Sequence, residues 1–317
     1  MIIYKEHFER ELPLESAMQL FKNSVNNIEI EISSYCNRQC TYCPNARYDR
    51  KTKAYMSDAL FDSIIQQLSL IDYQGRIAFH RYNEPLADFQ YLLRRIAQTK
   101  SKLPRCELTI YTNGDYLTQK TISALENSGV DVVIATSHYK NSITFTQQKD
   151  HTIKKILKLS TPFKIDLDND TQLTVLIDST MTFYWRCVNY LAEASSGQRV
   201  ASDRAGAAGF KNKHKRTAAC LIPFTEMQIS YQGYVLPCCN IYPEAPEHKP
   251  FIISQLDASS NLFSVYGSRS LSEWRAALFQ VGEKLPPCDT CNYRPGSLLD
   301  KKAIERIRDE LTIMDKV

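Results

Sequence analysis

The sequence contains no apolar segment of the length that a membrane span needs. Its longest charge-free run, residues 227–243, includes Gly233, Pro237 and several polar side chains, whereas a spanning helix needs about 20 mainly apolar residues. The first fifteen residues are interrupted by charged side chains from Lys5 onward, so they lack the apolar core of a signal peptide. We therefore expect a cytoplasmic protein that does not bind membranes.

The sequence also lacks a large excess of either charge. Its 39 basic and 35 acidic residues leave a net charge of +4 over 317 residues, which does not indicate nucleic-acid binding. A basic run at residues 211–216 is interpreted as a solvated linker, with a surface that steers an acidic substrate or redox partner as the alternative. There is no internal repeat or low-complexity tract.

Short β-branched runs alternate with amphipathic segments between residues 28 and 205, which predicts repeated βα units. We predict strands at residues 28–32, 76–80, 107–111, 130–136, 173–177 and 199–201, and helices from Ser57, over 88–97, from Thr118, over 142–159 and over 183–194. Six units are fewer than the eight that close a full barrel. The predicted fold is therefore α/β, an open partial (β/α)6 barrel with its ligand site at the C-terminal strand ends.

The alternation of strand and helix patterns ends at residue 205. Residues 226–237 predict a hairpin that turns at Gly233, and helices are predicted over 271–278 and 303–311. The predicted domains are an N-terminal extension (1–27), the partial barrel (28–205) and an auxiliary C-terminal domain (206–317).

Ten cysteines are many for a cytosolic chain, where structural disulfides are rare, so they point to metal binding or catalysis. Cys36, Cys40 and Cys43 form C-x3-C-x2-C directly after the first predicted strand. Three thiolates are one too few for a closed structural zinc site. They can hold three irons of a four-iron, four-sulfur cluster and leave the fourth iron open for a ligand.

This motif, with Tyr42 as the aromatic residue before its last cysteine, resembles that of the radical S-adenosylmethionine (SAM) superfamily. The resemblance implies that the open iron chelates SAM, and that an electron from the reduced cluster cleaves it to methionine and a 5′-deoxyadenosyl radical. It also implies an electron donor such as flavodoxin or ferredoxin.

The resemblance extends to further positions. Tyr82-Asn83-Glu84-Pro85 stands where the family commonly has Gly-Gly-Glu-Pro, and an acceptor-only carboxylate suits the methionine ammonium. Turn chemistry is an equal alternative for the residues that end the third and fourth strands, and a plain surface charge is the alternative for Arg204. The predicted cofactor-binding residues are Tyr42, Asn83, Glu84, Thr112, Asn113, Ser137 and Arg204.

A second cysteine pattern lies in the tail: Cys220, the hairpin with Gly233, Cys238, and then C-x2-C at Cys288 and Cys291. It resembles the start of the SPASM motif and its shorter version, the twitch domain, which implies a second, auxiliary four-iron cluster. A zinc ribbon with the same thiolates is the alternative. Because consecutive side chains point apart, only one of Cys238 and Cys239 is expected to be a ligand, and the spacing favours Cys238.

The predicted function is that of a radical SAM enzyme that removes a hydrogen atom from a polar substrate carbon. A small polyol or aminosugar, epimerised or oxidised, ranks ahead of a ribosomally made peptide, since only about 27 residues precede the first strand. Cys239 is the candidate hydrogen-atom donor for epimerisation. The non-enzyme alternative is an iron–sulfur or zinc protein with inert sites.

Overall fold

The computed structural model of the protein describes residues 3–139, 143–190, 192 and 201–293. Its strands form one sheet: β1 (Asn27–Ile30), β2 (Arg76–Ala78), β3 (Glu107–Thr112), β4 (Val132–Ser137), β5 (Phe163–Asp168), β6 (Gln172–Ile177), β7 (Thr182–Val188), β8 (Glu226–Ile229), β9 (Tyr234–Leu236) and β10 (Ser254–Gln255). Its α-helices are α1 (Leu14–Ser24), α2 (Asp58–Leu70), α3 (Phe89–Lys102), α4 (Gln119–Ser128), α5 (Phe145–Leu157), α6 (Ile222–Thr225), α7 (Leu262–Tyr266) and α8 (Arg269–Phe279). None of the helices in these residues is both long enough and apolar enough to cross a bilayer.

Six strands in the middle of the sheet are parallel, in the spatial order β8, β1, β2, β3, β4, β7. Helices α2, α3 and α4 connect β1 to β4, since parallel neighbours need a crossover connection. Antiparallel strands extend both edges, with β6 and β5 beyond β7 and with β9 and β10 beyond β8. The prediction of an α/β fold built as a partial barrel is confirmed.

The apolar core contains the residues on one face of the strands and the helices that cover it. Ser57 caps α2 by accepting a hydrogen bond from the Leu60 amide at 3.3 Å. Strand β1 contributes Ile28 and Ile30 to the core, while Glu29 between them is on the opposite face. The face of α2 predicted to be apolar is buried in the same core: Leu60, Phe61, Ile64, Ile65 and Leu68.

The segment after residue 182 differs from the prediction. A helix was predicted over residues 183–194, but β7 occupies Thr182–Val188, and residues 191 and 193–200 lie outside the described residues. Phe183, Trp185 and Cys187 are buried alternately, which is the period of two that marks a strand. The hairpin of β5 and β6 precedes it, and β5 was missed because nearly all of its side chains are exposed.

The tail completes the sheet. The hairpin predicted over residues 226–237 is confirmed by β8 and β9, and β8 also pairs in parallel with β1. The helix predicted over 271–278 is confirmed as α8. The helix predicted over 303–311 lies outside the described residues, as does the strand predicted over 199–201 apart from Ala201.

Helix α1 was not predicted within the N-terminal extension. It buries Ala17, Leu20, Phe21 and Ser24, which recur at the spacing of one helix face. The Phe21 ring lies 5.2 Å from the ring of Phe263 on α7. The two ends of the described chain are therefore packed together.

A buried ion cluster joins the barrel to the tail. The Arg50 side chain, 3% exposed, donates to Glu31 at 2.8 Å and to Glu244 at 2.7 Å. Its Nε donates to the Tyr242 hydroxyl at 2.9 Å, and Glu31 also accepts a hydrogen bond from the Tyr82 amide. Breaking a buried pair of this kind leaves an uncompensated charge, so the cluster fixes the tail on the barrel.

We expect Gly233→Ala to destabilise the protein more than Gly129→Ala. Both glycines have a φ near +85°, but a Cβ at Gly233 would lie 2.3 Å from the Leu256 carbonyl oxygen, whereas at Gly129 its nearest neighbour would lie at 3.5 Å. Gly129→Ala should lower the free energy of unfolding by about 1 kcal/mol, and Gly233→Ala by roughly a further 1–3 kcal/mol. Urea denaturation measures both, and equal losses would contradict the predicted clash.

Candidate active site

A large cavity lies at the C-terminal ends of the parallel strands. Successive side chains of a strand point to opposite faces, so alternate residues of the strands face this space. This is where ligands bind in parallel β/α barrels. The strand residues that line it are Glu29, Tyr111, Thr112, Ile134, Thr136 and Arg186.

The three cysteines of the first motif line this cavity together. Cys36, Cys40 and Cys43 follow β1 in a loop closed by a hydrogen bond from the Cys43 amide to the Cys40 carbonyl at 2.9 Å. Burial raises the pKa of Cys36 to about 12 and the pKa of Cys43 to about 11. These thiols are therefore protonated without a cation, and metal binding would release their protons.

Arg38 holds this cysteine loop against two strand ends. Its guanidinium donates through Nε and Nη2 to the two carboxylate oxygens of Asp115, just after β3. Its Nη1 donates to the His138 carbonyl, just after β4. Lys155 also contacts Asp115, at 3.2 Å, so the carboxylate carries two cationic partners.

Glu84 connects the ends of β2 and β3. Its carboxylate accepts hydrogen bonds from the Thr112 hydroxyl at 2.7 Å and from the Asn113 amide at 2.6 Å, and it also caps the Leu86 amide. Burial raises the pKa of Glu84 to about 7, although these hydrogen bonds favour the ionised form. A cationic ligand in the cavity would favour the ionised form further.

The other predicted cofactor residues near the strand ends differ in where they face. Asn83, Thr112 and Asn113 line the cavity with Glu84. The side-chain amide of Asn83, however, is hydrogen-bonded within its own loop: it accepts from the Arg81 backbone amide and donates to the Phe79 carbonyl. Ser137 does not line the cavity. It is 1% exposed and accepts a hydrogen bond from the Trp185 indole at 2.8 Å, which favours a structural role.

Tyr42 belongs to an aromatic group on the cavity wall. Its hydroxyl lies 2.6 Å from His138 Nδ1, and its ring stacks on Tyr190 at 4.6 Å. Burial lowers the pKa of His138 to about 3, so its imidazole is neutral. The group offers flat, apolar faces and few free polar atoms to a ligand.

Arg204 also lines the cavity, in a strained turn. It and Ala205 have φ of +51° and +55°, a conformation that costs non-glycine residues of order 1–3 kcal/mol and occurs often at functional sites. The guanidinium donates to the Asn240 side chain at 3.1 Å and lies over the Tyr82 ring. It is therefore not a plain surface charge.

The tail cysteines separate into two groups. Cys220, Cys238, Cys288 and Cys291 line a second, much smaller cavity, whereas Cys239 lines the first cavity. Adjacent side chains thus face different cavities, as the alternation of side chains predicts. Tyr293 borders both cavities, so the two are neighbours.

The basic run at 211–216 is only partly the solvated linker that we predicted. Lys211, Lys213 and Lys215 are exposed, but Arg216 is 3% exposed. Its guanidinium donates to the carbonyls of Ala219 and Tyr293 and lies 3.8 Å from Cys291 Sγ. Arg216 therefore stabilises the second cysteine group.

Sequence reasoning missed Glu29, His80, Arg81 and Arg186, which all line the first cavity. Residues 27–32 alternate strictly between polar and isoleucine side chains, and that pattern could have identified Glu29 as facing the interior. Arg81 follows β2 in a loop without regular alternation, so no comparable signal was present.

The donor sets fit the groups that the two motifs imply. Within the described part of the chain, no three His, Cys, Asp or Glu side chains are arranged around one position for a single metal ion. Three thiols share the large cavity with an acceptor-only carboxylate, and four thiols share the small one. Thiolate sets of three and four suit an open and a closed iron–sulfur cluster respectively.

Residues 30–158 match the model of the Radical SAM superfamily. A stretch of 111 residues is 43% identical to the S-adenosyl-L-methionine-dependent 2-deoxy-scyllo-inosamine dehydrogenase of Niallia circulans, covering 35% of this chain and 44% of that protein. The match therefore spans less than half the length of this curated relative.

Solved structures share the fold over most of the chain. The crystal structure of BtrN in complex with AdoMet and 2-DOIA is 25% identical, with a TM-score of 0.57, and covers 80% of this chain and 87% of that one. The structure of selenomethionine BtrN in an open conformation is 24% identical, with a TM-score of 0.54. The match covers 84% of this chain and 92% of that one.

We expect Arg38→Gln to loosen the first cysteine loop. Removing the charge breaks the contacts to Asp115 and to the His138 carbonyl, and loss of a group that supports metal ligands typically weakens metal retention by about tenfold or more. The measurement is the rate at which the reconstituted protein releases iron to a chelator. Arg94→Gln is the matched control, since Arg94 donates through its two terminal nitrogens to Asp58 on the surface. Equal rates of iron release in the two variants would show that Arg38 does not hold the loop.

Proposed function

We propose that this chain is a radical SAM enzyme that oxidises a hydroxyl-bearing carbon of a small aminocyclitol, since residues 30–158 match the model of the Radical SAM superfamily. The observation that carries the proposal is the shared cavity in which the three motif thiols, Glu84 and the tail residue Cys239 meet. The substrate class is supported by the 43% identity to a 2-deoxy-scyllo-inosamine dehydrogenase and by the likeness to BtrN with bound 2-DOIA.

Cys36, Cys40 and Cys43 would hold the first four-iron cluster, and Glu84 would accept a hydrogen bond from the ammonium group of SAM. Once both cofactors are bound and a donor such as flavodoxin or ferredoxin has reduced the cluster, they would supply a 5′-deoxyadenosyl radical. This radical removes a hydrogen atom from carbon. The chain's own task is to orient the reactants and exclude water. Tyr42 and Tyr190 provide a stacked apolar wall for it.

Oxidation of an alcohol to a ketone removes a hydrogen atom from carbon, a proton from oxygen and one further electron. The proton needs a basic group close to the substrate, and the electron needs an acceptor there. Cys220, Cys238, Cys288 and Cys291 would hold an auxiliary four-iron cluster as that acceptor, in the cavity next to the first. The name of the curated relative, a dehydrogenase, supports oxidation.

Epimerisation is the second candidate function, favoured by the position of Cys239. Its thiol lines the first cavity, and burial, followed by the charge of Glu29, raises the pKa of Cys239 to about 12. The sulfur therefore keeps its hydrogen at neutral pH. A protonated thiol in this place could return a hydrogen atom to a substrate radical.

We expect about eight irons per reconstituted chain, from two four-iron clusters. Replacing Cys36, Cys40 and Cys43 together by Ala should leave about four, and so should Cys238→Ala, because a cluster rarely survives the loss of a ligand. Cys239→Ala is the matched control and should keep all the iron, since its side chain faces the other cavity. Iron loss in Cys239→Ala but not in Cys238→Ala would reverse the ligand assignment.

Turnover of 2-deoxy-scyllo-inosamine in deuterated water tests oxidation against epimerisation. We expect 5′-deoxyadenosine and a ketone two hydrogens lighter than the substrate, at similar rates in wild type and Cys239→Ala. Thiol hydrogens exchange with water, so an epimerase would give a product of unchanged composition with one deuterium at the attacked carbon, lost in Cys239→Ala. Mass spectrometry distinguishes the two, and the labelled product would overturn the dehydrogenase proposal.

A further inference from the structure

One wall of the first cavity carries an acidic and a basic side chain that act on each other electrostatically without forming an ion pair. We define the amine-binding wall as Glu29 on β1 and Arg81 just after β2. Both line the cavity, and β1 and β2 are neighbouring parallel strands, with Glu29 opposite Ala78. Neither residue has a role in the two cysteine motifs.

Glu29 is a carboxylate near two arginines, Arg81 and Arg204, whose charges favour its ionised form, but it is paired with neither. Within the described residues, no ion pair joins it to a Lys, Arg or His side chain. Burial, and after it the charge of Glu226 on the neighbouring β8, raises the pKa of Glu29 to about 7. A cationic ligand would relieve this repulsion and restore the charged form.

Arg81 is a cation with unused donors. It is 6% exposed, and its Nη2 donates to the Ile241 carbonyl at 2.8 Å. Its Nε and Nη1 are buried and have no hydrogen-bond partner. A buried, charged donor left unpaired costs at least about 1–3 kcal/mol, so a ligand that brings oxygen acceptors would gain that energy.

Both residues lie on the side of the cavity formed by the tail. Arg81 is tied to Ile241, two residues after Cys239, and the charge of Glu29 acts on the Cys239 thiol. Glu84, the candidate for the SAM ammonium, is instead tied to Thr112 and Asn113 at the end of β3. The wall thus faces the part of the cavity left for substrate.

We infer that this wall selects a substrate carrying a protonated amine close to hydroxyl groups, with the ammonium on Glu29 and the hydroxyl oxygens on Arg81. The inference rests on the proposed function in one respect, which is that a cyclitol ring carries the amine and the hydroxyl groups. It goes beyond that proposal by requiring the amine itself, so a cyclitol with only hydroxyl groups should bind poorly.

The test is calorimetric binding to the SAM-loaded, unreduced protein, which needs no turnover. The probes are 2-deoxy-scyllo-inosamine and its analogue with a hydroxyl in place of the amine. Wild type should prefer the amine by about tenfold or more. Glu29→Gln should abolish that preference, Arg81→Lys should weaken both probes, and the control Glu107→Gln, an exposed carboxylate on β3, should change neither.

Three outcomes would overturn the inference. Equal losses for both probes in Glu29→Gln would show that Glu29 does not read the amine, and a loss of SAM affinity in Arg81→Lys would assign Arg81 to the cofactor. Trans-2-aminocyclohexanol and trans-1,2-cyclohexanediol provide a second pair of probes. If wild type binds neither cyclitol but shows a Glu29-dependent preference for the aminocyclohexanol, the inference stands and the aminocyclitol proposal fails; no preference in either pair overturns the inference.

Discussion

The alternation of side chains along the parallel strands is the constraint on which the site depends. Parallel sheets usually bury both faces and are apolar on both. Here the residues of β1 that face the helices are Ile28 and Ile30, while Glu29 faces the opposite side. One face supplies the core, and on the other face β1, β3, β4 and β7 supply side chains that line the cavity.

Arginine side chains hold the irregular segments that carry the cysteines. Arg38 fixes the first cysteine loop, Arg216 fixes the second group, and Arg50 joins the barrel to the tail. A guanidinium has five donors in a fixed plane, so one side chain can bond carbonyls and carboxylates from several segments. Loops without regular hydrogen bonding need such partners because their backbone groups remain unpaired.

The sequence was sufficient to predict what depends on spacing. The cysteine motifs, the strands β1–β4 and the different directions of Cys238 and Cys239 follow from local pattern and alternation. It was insufficient where tertiary contacts decide: Ser137 faces Trp185 because β7 lies beside β4, and that strand had been predicted as a helix. Arg81 was missed and Arg216 was interpreted as part of a solvated linker, because the fold and not the local sequence decides which arginines are buried.

Because Cys238 and Cys239 face different cavities, a single stretch of backbone separates the two cavities at this point. The arrangement also makes the chain length from Gly233 to Cys238 critical. One inserted residue would turn the Cys238 side chain toward the first cavity and the Cys239 side chain toward the second, so this short segment tolerates substitution far better than any change in length.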